Sequence, residues 1–263
     1  MKKFAVVLFL CLVIASINAQ EQKGDLWVFA IGINEYPNNQ YYPSLHFCVS
    51  DAKNICELFV AQEGKAFNKV HTLLIADTET VKPAKNNILS NLTFLRNAKP
   101  TDTVILYFAL HSMLDETGAY YLLPSDIRYD DDGKPVPASM INFNDIVNSF
   151  DVKLFDVPGN KIIILDTHYS ETAIKLAAGK NIVIFGACKD NELAYESERY
   201  GGHFTSSIVD AFREGSFTNG KVTLQALLPY VTDRVKRIPG NRQTPVLYVP
   251  KGAGDVVVGI SGE

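Results

Sequence analysis

Three stretches of this chain are apolar almost without a break over the length of one strand: "TVILYFAL" (Thr103 to Leu110), "KIIILD" (Lys161 to Asp166) and "NIVIFGA" (Asn181 to Ala187). A strand with one wet face alternates apolar and polar residues, so a run without alternation belongs to a strand covered on both faces. "DLWVFAIGI" (Asp25 to Ile33) has the same character, and Lys69 to Ala76 and Thr244 to Val249 read as further strands. Between them lie segments with helical spacing. Leu45 to about Gln62 places Leu45, Val49, Ala52, Ile55, Cys56 and Phe59 on one face; Pro83 to Arg96 does the same with Ile88, Leu92 and Leu95. Asn142 to Phe150, Gly202 to Arg213 and Leu224 to Arg237 also read as helices, and "AYYLLPSD" (Ala119 to Asp126) as half of a small hairpin. Strands separated by helices predict an α/β fold with a mainly parallel sheet of about six strands, helices on both faces.

In such sheets ligands bind beyond the carboxyl ends of the strands. The residues that follow the strands are therefore the candidates: Asn34 and Glu35, His111 and Ser112, Asp166 to Ser170, and Cys188 to Asp190. The net charge of -4 and the lack of any basic run longer than a pair speak against nucleic acid as a partner. "YDDDG" (Tyr129 to Gly133) marks a solvated loop, and its three adjacent Asp lack the alternating spacing of a calcium loop.

The opening residues stand apart. Lys2 and Lys3 precede an apolar run from Phe4 to about Ile17, followed by Asn18, Ala19 and a polar stretch. This is the pattern of a secretory signal peptide cut after Ala19, and the run is shorter than the roughly 20 residues that span a bilayer. The expectation is residues 1–19 as signal peptide, 25–250 as one domain and 251–263 as a tail, with a secreted or periplasmic location and no membrane attachment after cleavage. Removal of Cys11 leaves Cys48, Cys56 and Cys188, an odd set that is not a disulfide framework. Cys48 and Cys56 would lie about 12 Å apart along one helix, too far to bridge.

Several pieces in order resemble one family. "FAIGINEYPNN…LHFCVSDAKNICELF" looks like the opening of the caspase-like and metacaspase-like peptidases, and "DTVILYFALHSMLDETGAYYLLPSD" like their histidine strand and following hairpin. "IIILDTHYS" is similar to their nucleophile strand, and "IVIFGACKDNELAYE…GGHFTSSIVDAF" and "QTPVLYV" to the strands and helix that follow. The resemblance implies a three-layer α-β-α sandwich of caspase-like fold, a monomer, and no cofactor. In active members a Cys thiolate attacks the scissile carbonyl and a His on the neighbouring strand moves the proton.

Carried over by position, His111 matches the catalytic His, and the nucleophile position holds His168 in place of Cys. The family's Gly-His-Gly is Leu110-His111-Ser112 here, and Tyr169 follows the nucleophile position where His is usual. The connection from His168 to Asn181 looks trimmed. Three departures together imply lost peptidase chemistry. Asp51 and Asp166 match the acidic pair that gives metacaspase-like enzymes their preference for Arg or Lys, and Asp190 extends that negative rim. The first expectation is an exported pseudoprotease that binds a peptide or protein segment of basic character. Two enzymatic alternatives stand beside it: a cysteine endopeptidase using a displaced nucleophile (Cys188), and a metal-assisted hydrolase at His111 and His168 with an oxygen from Asp166 or Asp51. A third reading is structural, with the groove closed by Leu110, Met113 and Tyr169.

Overall fold

The computed structural model describes residues 23–37, 41–150, 160–215, 217–240 and 242–261, with backbone only at 149 and 150. The expected signal peptide, Cys11 included, lies outside these residues.

The elements run β1 (Leu26–Gly32), α1 (Cys48–Val60), β2 (Val70–Ala76), α2 (Lys85–Asn91), β3 (Thr103–Ala109), β4 (Ser112–Leu114), β5 (Tyr120–Leu122), β6 (Ile141–Asn142), α3 (Phe143–Phe150), β7 (Lys161–Asp166), α4 (Ser170–Ala177), β8 (Val183–Gly186), β9 (Glu196–Ser197), β10 (Gly201–Gly202), α5 (His203–Glu214), β11 (Lys221–Thr223), α6 (Leu224–Arg237), β12 (Val246–Tyr248) and β13 (Val257–Ile260). Six strands form the central sheet in the order β12-β8-β7-β3-β1-β2. All neighbours pair in parallel except β12, which runs antiparallel along β8. The expected sheet and its size are both found.

The unbroken apolar runs behave as their composition dictates. In β3, every residue from Val104 to Ala109 is 1% exposed or less. Successive side chains point to opposite faces. Val104, Leu106 and Phe108 join a core with Ile88 and Leu95, α3 (Ile146, Val147) and α4 (Ala173, Ala177). Ile105, Tyr107 and Ala109 join the opposite core with α1 (Ala52, Ile55, Phe59), α5 (Ile208, Phe212) and α6 (Leu227, Val231, Val235). The result is three layers. Burial of a large aliphatic or aromatic side chain contributes about 1.5–3 kcal/mol, so two continuous cores on one sheet hold the strand ends firmly in place.

Some expectations needed adjustment. The helix expected over Pro83 to Arg96 is α2 followed by a tighter 3-10 turn over Leu92–Asn97. The link from His168 to Asn181, which looks trimmed in the sequence, contains α4, a helix the sequence reading did not include. The stretch after residue 250, expected to be a tail, carries β13, which pairs antiparallel with β11 and packs Val258 into the core.

The chain leaves β1 for β2 on one side and returns to β3 on the other. That reversal places the carboxyl ends of β1, β3 and β7 around one crevice, as open α/β sheets do at a switch point. No helix among the described residues is long and apolar enough to cross a membrane.

Candidate functional site

A cleft open to solvent lies at this crevice, with about 360 Å³ of empty space when the adjoining solvent is counted in. His111 and Leu110 enter from the end of β3, Asp166, Thr167 and His168 from the end of β7, Cys48 and Asp51 from α1, and Ala194, Tyr195, Glu196 and Gly202 from the β8–α5 connection. Sequence reading had brought His111, His168, Asp51 and Asp166 to one rim, and they line one cleft. Asp190 does not join them. Its carboxylate accepts from Thr172 Oγ1 at 2.9 Å and pairs with Lys175 Nζ at 2.5 Å, so it ties the loop after β8 to α4.

The turn after β7 is held from several sides. Ser112 Oγ donates to the His168 carbonyl at 2.9 Å, Tyr120 Oη donates to the same oxygen at 3.1 Å, and Ser170 Oγ donates to the Thr167 carbonyl at 2.7 Å. Tyr169 sits at φ 56°, in the left-handed region that a bulky residue rarely adopts. That conformation turns the chain sharply from strand to helix and keeps His168 at the tip. Ser112 stands where the resemblance implied Gly, and its hydroxyl is spent on this turn. Leu110 lines the cleft and is packed into the core, yet the cleft stays open.

The two imidazoles have definable tautomers. His111 Nε2 lies 2.8 Å from the Pro43 carbonyl. A carbonyl only accepts, so Nε2 carries the proton and the neutral ring keeps its lone pair on Nδ1. His168 Nδ1 accepts the Ala194 N–H at 3.0 Å. The lone pair is therefore on Nδ1 and the proton on Nε2. Neither His111 Nδ1 nor His168 Nε2 has a hydrogen-bond partner among the described residues. The ring centroids are 6.5 Å apart. Burial lowers the pKa of His111, and burial plus its neighbour His111 pushes His168 down to about 4. Both rings are neutral at pH 7.

Three carboxylates wall the cleft, and each is held by backbone N–H groups. Asp166 accepts Thr205 N–H at 3.2 Å and Thr205 Oγ1 at 2.7 Å, at the start of α5, where the helix dipole favours negative charge. Asp51 accepts Gly202 N–H at 3.0 Å. Glu196 accepts the N–H groups of His46 and Phe47, at 2.9 and 3.2 Å, just ahead of α1. Sequence reading missed Glu196, because its strand β9 is two residues long and too short for spacing to carry a signal. A Cβ on Gly202 would stand 2.3 Å from Asp51 Oδ2 and 2.9 Å from Asp166 Oδ2, so both carboxylates crowd one point that only Gly leaves free.

No Lys or Arg among the described residues lines the cleft. Burial, then the charge of Asp166, pushes the Asp51 carboxyl up to about 8 against the opposing Gly202 hydrogen bond. Burial pushes Asp166 up to about 6 against its two Thr205 bonds.

The thiols are quiet. Cys188 is fully buried, with Sγ 3.5 Å from the Thr167 and Glu192 carbonyls, and burial pushes it up to about 11. Cys48 reaches the cleft, but burial and the three carboxylates raise its pKa well above the ordinary thiol value. Cys56 is pushed up to about 12, chiefly by burial. Among the described residues no group of three His, Cys, Asp or Glu side chains is placed to hold a metal ion, the set His111, His168 and Asp166 included.

The caspase-domain family model matches residues 26–254. Curated protein sequences offer no significant match. Among solved structures, protein GSU0716 from Geobacter sulfurreducens superposes with a TM-score of 0.60 at 12% identity, covering 85% of this chain and 92% of that one. At that identity the likeness concerns fold alone.

Proposed function

The chain belongs to the caspase-domain family, and from that premise we propose that it is an exported pseudoprotease that binds a basic peptide or protein segment and does not cut it. The observation that carries this reading is the side chain at the family's nucleophile position. His168 presents an N–H to the cleft, because its lone pair is engaged by Ala194 N–H. An N–H can neither attack a carbonyl nor take a proton. His111 keeps the lone pair of a general base, with an imidazole and no thiol at position 168 across from it.

The ligand class follows from charge. Three carboxylates face a cleft that no Lys or Arg among the described residues lines. A guanidinium or ammonium supplies the missing partner, and a guanidinium matches paired carboxylates in geometry as well as charge. Asp190 takes no part. A displaced nucleophile lacks support, since Cys188 is walled in and its thiol is held protonated.

Export rests on the charged and then apolar opening of the sequence. Edman sequencing of protein recovered from a secreting host is expected to begin at Gln20; a start at Met1 would overturn that part. For the central reading, purified protein is incubated with fluorogenic peptides ending in Arg or Lys, and the same sequences are titrated calorimetrically. The expected result is binding without turnover. Hydrolysis abolished by a thiol-directed, Arg-bearing inhibitor would overturn the reading.

A further inference from the structure

We infer that the outer edge of β2 is an interaction surface for a second copy of this chain, and that two copies join by antiparallel pairing of Val70–Ala76 about a two-fold axis at Leu73. The inference is independent of the cleft's ligand and departs from the monomer that the resemblance implied.

β2 closes one side of the central sheet and pairs only with β1. The Leu26 N–H donates to the Lys69 carbonyl at 2.8 Å, and Leu26 stands opposite Val70. In a parallel ladder that phase turns the backbone groups of His71, Leu73 and Ile75 toward β1 and those of Val70, Thr72, Leu74 and Ala76 outward. Two outward groups are satisfied within the chain. The Val70 N–H donates to Glu63 Oε2 at 3.0 Å, and the Ala76 carbonyl accepts from the Glu79 N–H at 3.0 Å. The Val70 carbonyl, both groups of Thr72 and of Leu74, and the Ala76 N–H have no partner among the described residues. Thr72 is exposed, and Val70, Leu73 and Leu74 are half-buried.

The edge also lacks the usual protection. Edge strands are blunted by Lys, Pro or a bulge; "VHTLLIA" has none of these, and its register with β1 is unbroken over its 7 residues. The opposite edge differs, because β12 has 3 residues and lies between Pro245 and Pro250.

The pattern of satisfied groups selects both occupant and register. With the axis at Leu73, Thr72 of each copy faces Leu74 of the other and exchanges both hydrogen bonds with it, and the Ala76 N–H donates to the other copy's Val70 carbonyl. The two occupied groups, the Val70 N–H and the Ala76 carbonyl, then face each other, so no free group stands opposite an occupied one. An axis at Thr72 sets the occupied Val70 N–H against the free Leu74 carbonyl. An axis at Leu74 sets the occupied Ala76 carbonyl against the free Thr72 N–H. The register at Leu73 also places Lys69 opposite Asp77 of the other copy at both ends, cation against anion. Val60, just ahead of Glu63, is 50% exposed, and Val81, beyond the far end of β2, is 42% exposed. Antiparallel pairing brings Val60 of one copy to the end that carries Val81 of the other.

Sedimentation velocity on the purified protein from about 1 to about 200 µM is expected to show a monomer passing to a dimer with a Kd on the order of 10 µM, weak because one strand pair and its flanks bury little area. Thr72→Pro removes an outward N–H and leaves the ladder to β1 intact. It is expected to weaken the dimer at least about tenfold, and Thr72→Lys, which keeps every backbone bond and adds an edge charge, about tenfold. Hydrogen exchange at the Thr72 and Leu74 amides is expected to slow about fivefold across the same concentrations, with Val70 unchanged. Copper–phenanthroline oxidation reads the register. Leu73→Cys meets its own copy at a Cα separation of about 4.5 Å and crosslinks, whereas Thr72→Cys falls outside disulfide reach. A monomer at every concentration leaves the edge to water or to a peptide strand and overturns the inference. A dimer that keeps its Kd in both Thr72 variants, or that crosslinks at position 72 and not at 73, overturns it as well.

Discussion

Binding of a cation at this cleft should expel a proton from Asp51. With its carboxyl pushed up to about 8, Asp51 is about 1% ionised at pH 6, about 10% at pH 7 and half ionised at pH 8. A guanidinium favours the ionised form and pulls that pKa back down. A group raised in the free protein and lowered in the complex makes binding tighten as pH rises, up to the free value, and level off above it. From pH 6 to pH 8 the affinity gained through Asp51 is about 50-fold, or about 2.3 kcal/mol. Asp166, at about 6, adds about twofold over the same interval. His168, pushed down to about 4, stays neutral over this interval, and burial lowers the pKa of His111 as well. The assay is calorimetry of an amidated Arg peptide at pH 7 in buffers of different ionisation enthalpy. The slope of apparent enthalpy against buffer enthalpy is expected to give about one proton released per ligand. Asp51→Asn keeps an oxygen for the Gly202 N–H and is expected to cut the release to about a tenth of a proton. A slope near zero in the wild type, or an affinity flat between pH 6 and 8, would refute the electrostatic reading of the cleft.

The same raised pKa makes Asp51 a stability liability. An unfolded Asp titrates near 3.8, so the native state holds the extra proton between about pH 4 and pH 8, and stability falls as pH rises through that window. Asp51→Asn should therefore raise the melting temperature at pH 8 and raise it much less at pH 5, the difference between the two being on the order of 3–4 kcal/mol at most. Gly202→Ala places a methyl against both carboxylates; Arg-peptide affinity is expected to drop at least tenfold by calorimetry while the circular dichroism spectrum holds. His168→Cys restores sulfur beside His111, and measurable cleavage after Arg is expected, lost again in the His111→Ala double variant. With buried or half-buried thiols of raised pKa at Cys48, Cys56 and Cys188, iodoacetamide at pH 7.5 should label none of the three within minutes by mass spectrometry unless denaturant is added.

The sheet was legible because a doubly covered strand writes itself as an unbroken apolar run, as in Val104 to Ala109. The rim was legible because such strands end in polar residues, and His111, Asp166 and His168 stand there for that reason. What stayed hidden has physical causes. A residue's place on the rim does not fix where its side chain points: Asp190 turns to Lys175, whereas Glu196, from the two-residue strand β9, turns into the cleft. Helix α4 was missed because it begins at a residue with positive φ, and its buried stripe consists of small residues, Ala173 and Ala177, which carry little hydrophobic signal. The β11–β13 pair joins segments far apart in sequence through strands too short to show a period. Pairings of that kind are set by tertiary contact and leave little local trace.

Why the cleft is built of carboxylates is a question that stability alone does not answer. Asp51 is buried and Asp166 half-buried beside it, no Lys or Arg among the described residues lines the cleft, and desolvation raises both pKa values. Uncompensated buried charge is unfavourable, and a pair of Asn side chains could accept the same Gly202 and Thr205 hydrogen bonds without it. Peptidase chemistry does not answer it either, since that needs sulfur where His168 stands. A bound cation answers it directly, because it converts a mutual repulsion into a shared attraction and returns Asp51 to its ionised form. Groups displaced this far from their ordinary titration mark sites that interact with something. The acidic cleft thus points to a ligand with a positive side chain, one that would offset the burial of Asp51.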